Sequence, residues 1–146
     1  MPRYFTVAEA ESILPQVELA LRDALCQKTE YQSADRELEA GLQRIRNAGG
    51  SRVNPGPFLA IRARRDGATA KLRDALDKVD ELGAQVKDLD IGLIDFLSRY
   101  QGRVVCLCWK LGEVGIRHWH SPEDGFRGRK PIDAEFLANH EGDEPN

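Results

Sequence analysis

The segment Val104-Val105-Cys106-Leu107-Cys108-Trp109-Lys110-Leu111-Gly112-Glu113-Val114-Gly115-Ile116-Arg117-His118-Trp119-His120 decides the fold. Its first six residues are all apolar, the pattern of a strand covered on both faces. Gly112-Glu113-Val114-Gly115 reads as a tight turn, and Ile116–His120 as the returning strand. Upstream, Gly92-Leu93-Ile94-Asp95-Phe96-Leu97 reads as a strand ended by the turn signal Tyr100-Gln101-Gly102. Short turns favour antiparallel order, so the expectation is a three-stranded antiparallel meander over 92–121. A small sheet is marginal alone and needs a helix across one face.

Everything before the sheet has helical periodicity. Thr6-Val7-Ala8-Glu9 fits a capping box, with Phe5 before it. Ala10, Val17, Ala24, Tyr31, Leu38 and Ile45 then hold one seam position of a heptad, and Ile13, Ala20, Gln27, Ala34 and Gly41 hold the other. Leu14, Leu21 and Leu42 widen the stripe. Pro15 lies inside the pattern and predicts a kink or a late start. Asn47-Ala48-Gly49-Gly50-Ser51 ends the run, and Asn54-Pro55-Gly56-Pro57 delays the next. A second register follows: Phe58, Arg65, Leu72, Val79 and Val86, with Ile61, Ala68, Ala75 and Leu82. Two amphipathic helices joined by a turn predict an antiparallel hairpin over 6–87. At about 1.5 Å per residue the first helix runs roughly 60 Å, so the hairpin is expected to protrude or to be covered by another chain.

The whole chain has 146 residues, enough for a single domain with its own core. Charged residues make up 31% and the hydrophobic set 41%, which excludes a disordered chain, and no apolar run approaches a membrane span. The capping signal begins so early that no room is left for a signal peptide. Three cysteines form no disulfide framework, so the expected compartment is the cytoplasm. Net charge is −3, but Ala40–Arg65 contains no acid and carries +6, leaving −9 elsewhere. Glu141, Asp143 and Glu144 read as an acidic, solvated tail within 122–146.

Lys87-Asp88-Leu89-Asp90, Gly92-Leu93-Ile94-Asp95-Phe96, Leu107-Cys108-Trp109-Lys110-Leu111-Gly112-Glu113, Trp119-His120 and Gly125-Phe126 with Gly128-Arg129 form a pattern. It resembles the bacterial domain-of-unknown-function family 2203, as do Phe5-Thr6, Glu9-Ala10 and Leu14-Pro15. The resemblance covers nearly the whole chain. Its most specific piece is the Leu107–Glu113 block. Leu97 stands where that family usually has proline, and His118 where it often has tyrosine. The resemblance implies an architecture and a motif cluster, and no reaction.

Two groups of residues are candidates for chemistry. The first surrounds the sheet. Asp90, Asp95, Glu113, His120, Arg127 and Arg129 are candidate ligand-binding residues. Histidine with carboxylates can also hold a divalent metal, and His118 and His120, two apart on a strand, share a face. If the turn pairs Leu111 with Ile116, Trp109 faces His118 and Leu107 faces His120. Cys106 and Cys108 would then lie across the sheet from both histidines, which argues against a Cys/His zinc site. His120 is expected to approach Asp95 or Asp90 with Arg129 as counter-charge, and Glu113 to belong to a separate turn contact. The bland alternative is that Arg127 or Arg129 pairs with Asp90 or Asp95 and latches the tail to the sheet. A metal motif of the cupin kind can be read in Gly112, His118, His120 and Glu123, but a cupin needs about eight strands.

The second group is the basic turn, with Arg44, Arg46, Arg52, Arg62, Arg64 and Arg65 as polyanion-binding candidates. Phe58 alone supplies an aromatic there, so nucleic acid is not expected.

The expected fold is therefore α+β, a long antiparallel helical hairpin followed by a small three-stranded antiparallel sheet. The expected protein is a cytoplasmic homo-oligomer acting as an interaction or scaffold protein through its helical arm, away from membranes and without a required cofactor. The alternative is a small-ligand-binding protein or metal-dependent enzyme with a polar site beside the sheet.

Overall fold

In the computed structural model, which describes residues 2–49 and 54–144, the fold is α+β. Helix α1 spans Val7–Asn47 and α2 spans Gly56–Glu81. The strands are β1 (Gln85–Asp88), β2 (Leu93–Tyr100), β3 (Arg103–Lys110), β4 (His118–His120) and β5 (Lys130–Pro131), and the short helix α3 spans Ala134–Asn139. The five strands form one antiparallel meander in the order β1-β2-β3-β4-β5. The sheet thus has two strands more than the sequence pattern predicts. Both additions are edge strands of two to four residues, too short for an alternating pattern to register.

The second helix also ends earlier than its heptads predict. The Leu82, Gly83 and Ala84 amides bond back to Lys78, Asp80 and Val79 carbonyls, with Gly83 at φ 94°. A Cβ on Gly83 would lie 2.8 Å from the Phe5 ring, so a side chain is excluded twice over. Val86, which continues the heptad on paper, instead pairs with Ile94 in the sheet.

Helix α1 starts at its predicted cap. The Thr6 amide donates to Glu9 Oε1 at 3.1 Å, and the Glu9 amide donates to Thr6 Oγ1 at 3.1 Å. Pro15 sits inside the continuous helix and neither delays nor ends it. It withholds one N–H from the Glu11 carbonyl, and the reciprocal cap offsets part of that loss.

The chain divides into two compact units. One comprises Met1–Leu21 with Leu76–Asn146, the other Arg22–Ala75. In the first, Phe5, Ile94, Phe96, Leu107, Trp109, Ile116 and Phe136 are fully buried, with Phe5 set edge-to-face on Phe96 at 5.3 Å. Residues 133–144 belong to this unit, with Glu141, Asp143 and Glu144 exposed. Asp133 caps α3 by accepting the Phe136 amide, and Phe136 stacks on Trp119. The Val7 amide donates to His140 Nε2 at 2.9 Å, Glu141 bridges backbone to backbone with Arg99, and Asp143 does so with Tyr4. The unpaired edge groups of β2 and of the Tyr4 segment take these partners because buried or half-buried amides need them.

In the second unit α1 and α2 run antiparallel, as predicted. Arg65 meets Asp35 at 3.2 Å, and the Phe58 ring lies where a Cβ of Gly41 would be, 2.7 Å away. No helix among the described residues is long and apolar enough to cross a membrane.

Candidate functional site

Register decides which side chains meet. Strand β2 pairs Asp95 with Cys108 and Leu97 with Cys106. Strand β4 pairs His118 with Cys108 and His120 with Cys106. Directly opposed residues share a face, so both cysteines, both histidines and Asp95 lie on one side of the sheet. This corrects the expected pairing of Trp109 with His118 and of Leu107 with His120, and with it the placing of the cysteines across the sheet from the histidines. The shift is one residue, and a one-residue shift turns every side chain over.

The physical reason lies between β3 and β4. The turn closes at once, the Glu113 amide bonding to the Lys110 carbonyl with Gly112 at φ 101°. The chain then does not return into the ladder. Trp109 Nε1 donates to the Glu113 carbonyl at 3.1 Å, and the Ile116 amide donates to Glu11 Oε1 on α1. Ile116 is buried outside the sheet, and pairing resumes only at His118.

Three groups on this face converge. Asp95, Cys106 and His120 are 2%, 3% and 3% exposed, and their ligating atoms lie within 4.8 Å of one another. His120 Nε2 stands 3.1 Å from Asp95 Oδ1, the approach expected from sequence. His120 Nδ1 donates to the Ser121 carbonyl at 2.8 Å. A carbonyl only accepts, so Nδ1 carries a hydrogen. Burial first, and the Asp95 carboxylate second, push the Cys106 thiol up to about 12. Burial likewise pushes Cys108 up to about 11. Both are therefore thiols at neutral pH, and at Cys108 the neighbouring Arg129 opposes that rise without reversing it.

A second cluster adjoins the first through Cys108. Arg129 grips Glu113 with two bonds of 3.0 and 2.8 Å, and its Nη1 lies 4.0 Å from Cys108 Sγ. Glu113 Oε1 also accepts the Lys110 amide at 2.7 Å. Burial alone would raise the Glu113 carboxyl, but Arg129, the Lys110 N–H and His118 together hold it below its ordinary value. Arg129 stacks on Phe126 at 4.5 Å. The expected role of Arg129 as counter-charge to Asp95 is thus corrected: it latches the loop to Glu113. The expected separate contact of Glu113 is present and includes this latch.

The remaining candidates lie apart. Asp90 is exposed in the β1–β2 turn, its amide donating to Asp88 Oδ1, and Arg127 is exposed on the 3-10 turn Phe126–Gly128. His118 shares the face of His120 but not its cluster. Its Nδ1 is 3.8 Å from Glu113 Oε2 and, among the described residues, has no hydrogen-bond partner. A cleft of about 320 Å³ opens beside Glu113, lined by Glu11, Leu14, Pro15, Trp109 and Arg117, and Asp95 and His120 are not in its wall.

The basic turn is not a free patch. Arg64 pairs with Glu30 at 2.6 Å and with Glu37, and Arg65 pairs with Asp35. Antiparallel packing brings acids about thirty residues upstream against the arginines, which a charge count along the chain does not register. Arg44, Arg46 and Arg62 are exposed, while Arg52 lies outside the described residues.

Cys106 is the functional candidate that sequence reasoning missed. Only the parity of the β3–β4 connection could have found it.

Fold and site together define an α+β protein: two long helices, then a five-stranded meander with a buried Asp–Cys–His cluster on one face. The profile of the uncharacterized conserved protein family DUF2203 matches residues 3–132, and the chain belongs to that family. No curated protein and no solved structure matches it.

Proposed function

We propose that this is a cytoplasmic, homo-oligomeric interaction or scaffold protein, and that the α1–α2 pair is its interacting arm. One observation carries the reading. Among the described residues of 22–75, the buried apolar side chains are Ala24, Ala34, Ala68 and Ala75. The bulky seam residues Tyr31, Leu38, Leu42, Ile45, Phe58, Ile61 and Leu72 all stay partly or largely exposed. A heptad seam whose alanines are covered and whose leucines are not leaves its main apolar area for another surface. A second copy of the chain supplies a matching seam. The free thiols of Cys26, Cys106 and Cys108 support a reducing compartment. The pairing of Arg64 and Arg65 with acids speaks against nucleic acid as the partner. The test is light scattering at tens of micromolar. The expected mass is a multiple of 16.4 kDa, and Leu38→Glu is expected to lower it. A monomer that Leu38→Glu leaves unchanged overturns the arm.

A second reading, a small-ligand-binding protein or metal-dependent enzyme, is favoured by the burial of Asp95, Cys106 and His120 in one cluster. Buried ionisable groups brought together at this cost often serve chemistry.

A further inference from the structure

We propose that Asp95, Cys106 and His120 hold a divalent transition-metal ion of the zinc class. The inference deepens the second functional reading and rests on it only for the place of the site, not for any turnover.

The donor set comes first. A thiolate sulfur, an imidazole nitrogen and a carboxylate oxygen are what zinc takes, whereas magnesium and calcium take oxygen alone. Geometry agrees. Donors about 2.0–2.3 Å from one ion in a tetrahedron lie roughly 3.3–3.6 Å apart. Nε2 and Oδ1 are 3.1 Å apart, and Cys106 Sγ stands within 4.8 Å of both. A small outward movement of the first pair and an inward turn of the thiol complete the set.

The three donors come from three neighbouring strands, so the sheet fixes their spacing. His120 is oriented as metal-bound histidines are: Nδ1 is anchored on the Ser121 carbonyl, and Nε2 faces Asp95 in the cluster. The Arg129–Glu113 pair next to Cys108 closes the neighbouring part of the same face.

Charge balance selects a divalent ion. Bound as ligands, Cys106 as thiolate and Asp95 as carboxylate bring two negative charges, and one ion of charge +2 neutralises them in the buried site. A monovalent ion would leave a net negative charge where burial penalises it. Among the described residues no fourth histidine, cysteine or carboxylate joins the group, so a fourth position falls to water.

The experiment uses the full-length protein, incubated with zinc chloride, dialysed and analysed for bound metal. About one zinc per chain is expected, and Cys106→Ser and His120→Gln are each expected to weaken retention at least about tenfold. Cobalt titration provides a readout that does not depend on those variants folding. Exposed Cys26 is replaced by serine, so a thiolate-to-cobalt charge-transfer band then reports a buried sulfur. Its presence supports the site. Its absence, a wild-type zinc content below about a tenth per chain, or full content in a folded Cys106→Ser protein overturns the proposal. One zinc per chain without turnover of any substrate removes the enzyme reading and leaves the metal site standing.

Discussion

The unit built on the sheet buries Trp109, Phe96, Phe5 and Leu107, whereas the 22–75 unit buries alanines and Gly41. The first closes on itself through large side chains, aromatic contacts and a ladder of antiparallel pairs. The second is held by helix formation, the Phe58 ring seated on Gly41 and ion pairs such as Arg65–Asp35. A deleted side chain should therefore cost much in one unit and little in the other. The difference also separates two kinds of function. Buried polar groups within a rigid sheet suit a fixed site for a small ion. Half-covered leucines on a helix pair suit a partner.

The largest expected effect tests that contrast directly. Phe96 is fully buried beneath Phe5, so Phe96→Ala is expected to cost about 3–5 kcal/mol in urea unfolding. Leu38→Ala, half-exposed in the other unit, is expected to cost about 1 kcal/mol or less at concentrations where the chain is monomeric. Equal losses would abolish the distinction.

Next in size is Glu113→Gln, expected to cost about 1.5 kcal/mol at neutral pH through lost charge-assisted bonds to Arg129 and the Lys110 amide. The sign with pH follows from the lowered Glu113 carboxyl. A depressed folded value stabilises above the unfolded value, about 4.3, and that contribution fades as pH falls through the folded one. Wild type and variant should therefore converge in stability under acid. A gap that stays constant down to pH 2 would refute the assignment.

Smallest is Arg64→Ala. Arg64 bridges Glu30 and Glu37 on the exposed side of the hairpin. Its removal is expected to cost about 0.5 kcal/mol or less, and to cost nothing measurable in molar salt. A loss that persists in salt would show that the helical unit depends on this clasp more than on helix formation.

The parts legible from sequence are those whose signal is local. The Thr6–Glu9 cap, the long periodic helices and the strands around Ile94 and Leu107 follow from residues near one another in the chain or from clear periods. The early stop of α2 was legible in Leu82-Gly83, but the heptad running through Val86 masked it.

What tertiary structure alone decided depends on pairing between distant segments. The face of Cys106 is set by where β4 re-enters the ladder, and Glu11 on α1, 105 residues upstream, holds Ile116 out of it. The partner of Arg129 is set by the loop folding onto Glu113 instead of Asp95. The arginines of the hairpin turn are neutralised by acids that only antiparallel packing brings near. Residue types and their periods determined that this chain makes helices and strands and which positions are apolar. Side-chain period in a strand is two, so a single residue of slack in a loop chooses the face, and no local pattern encodes that choice.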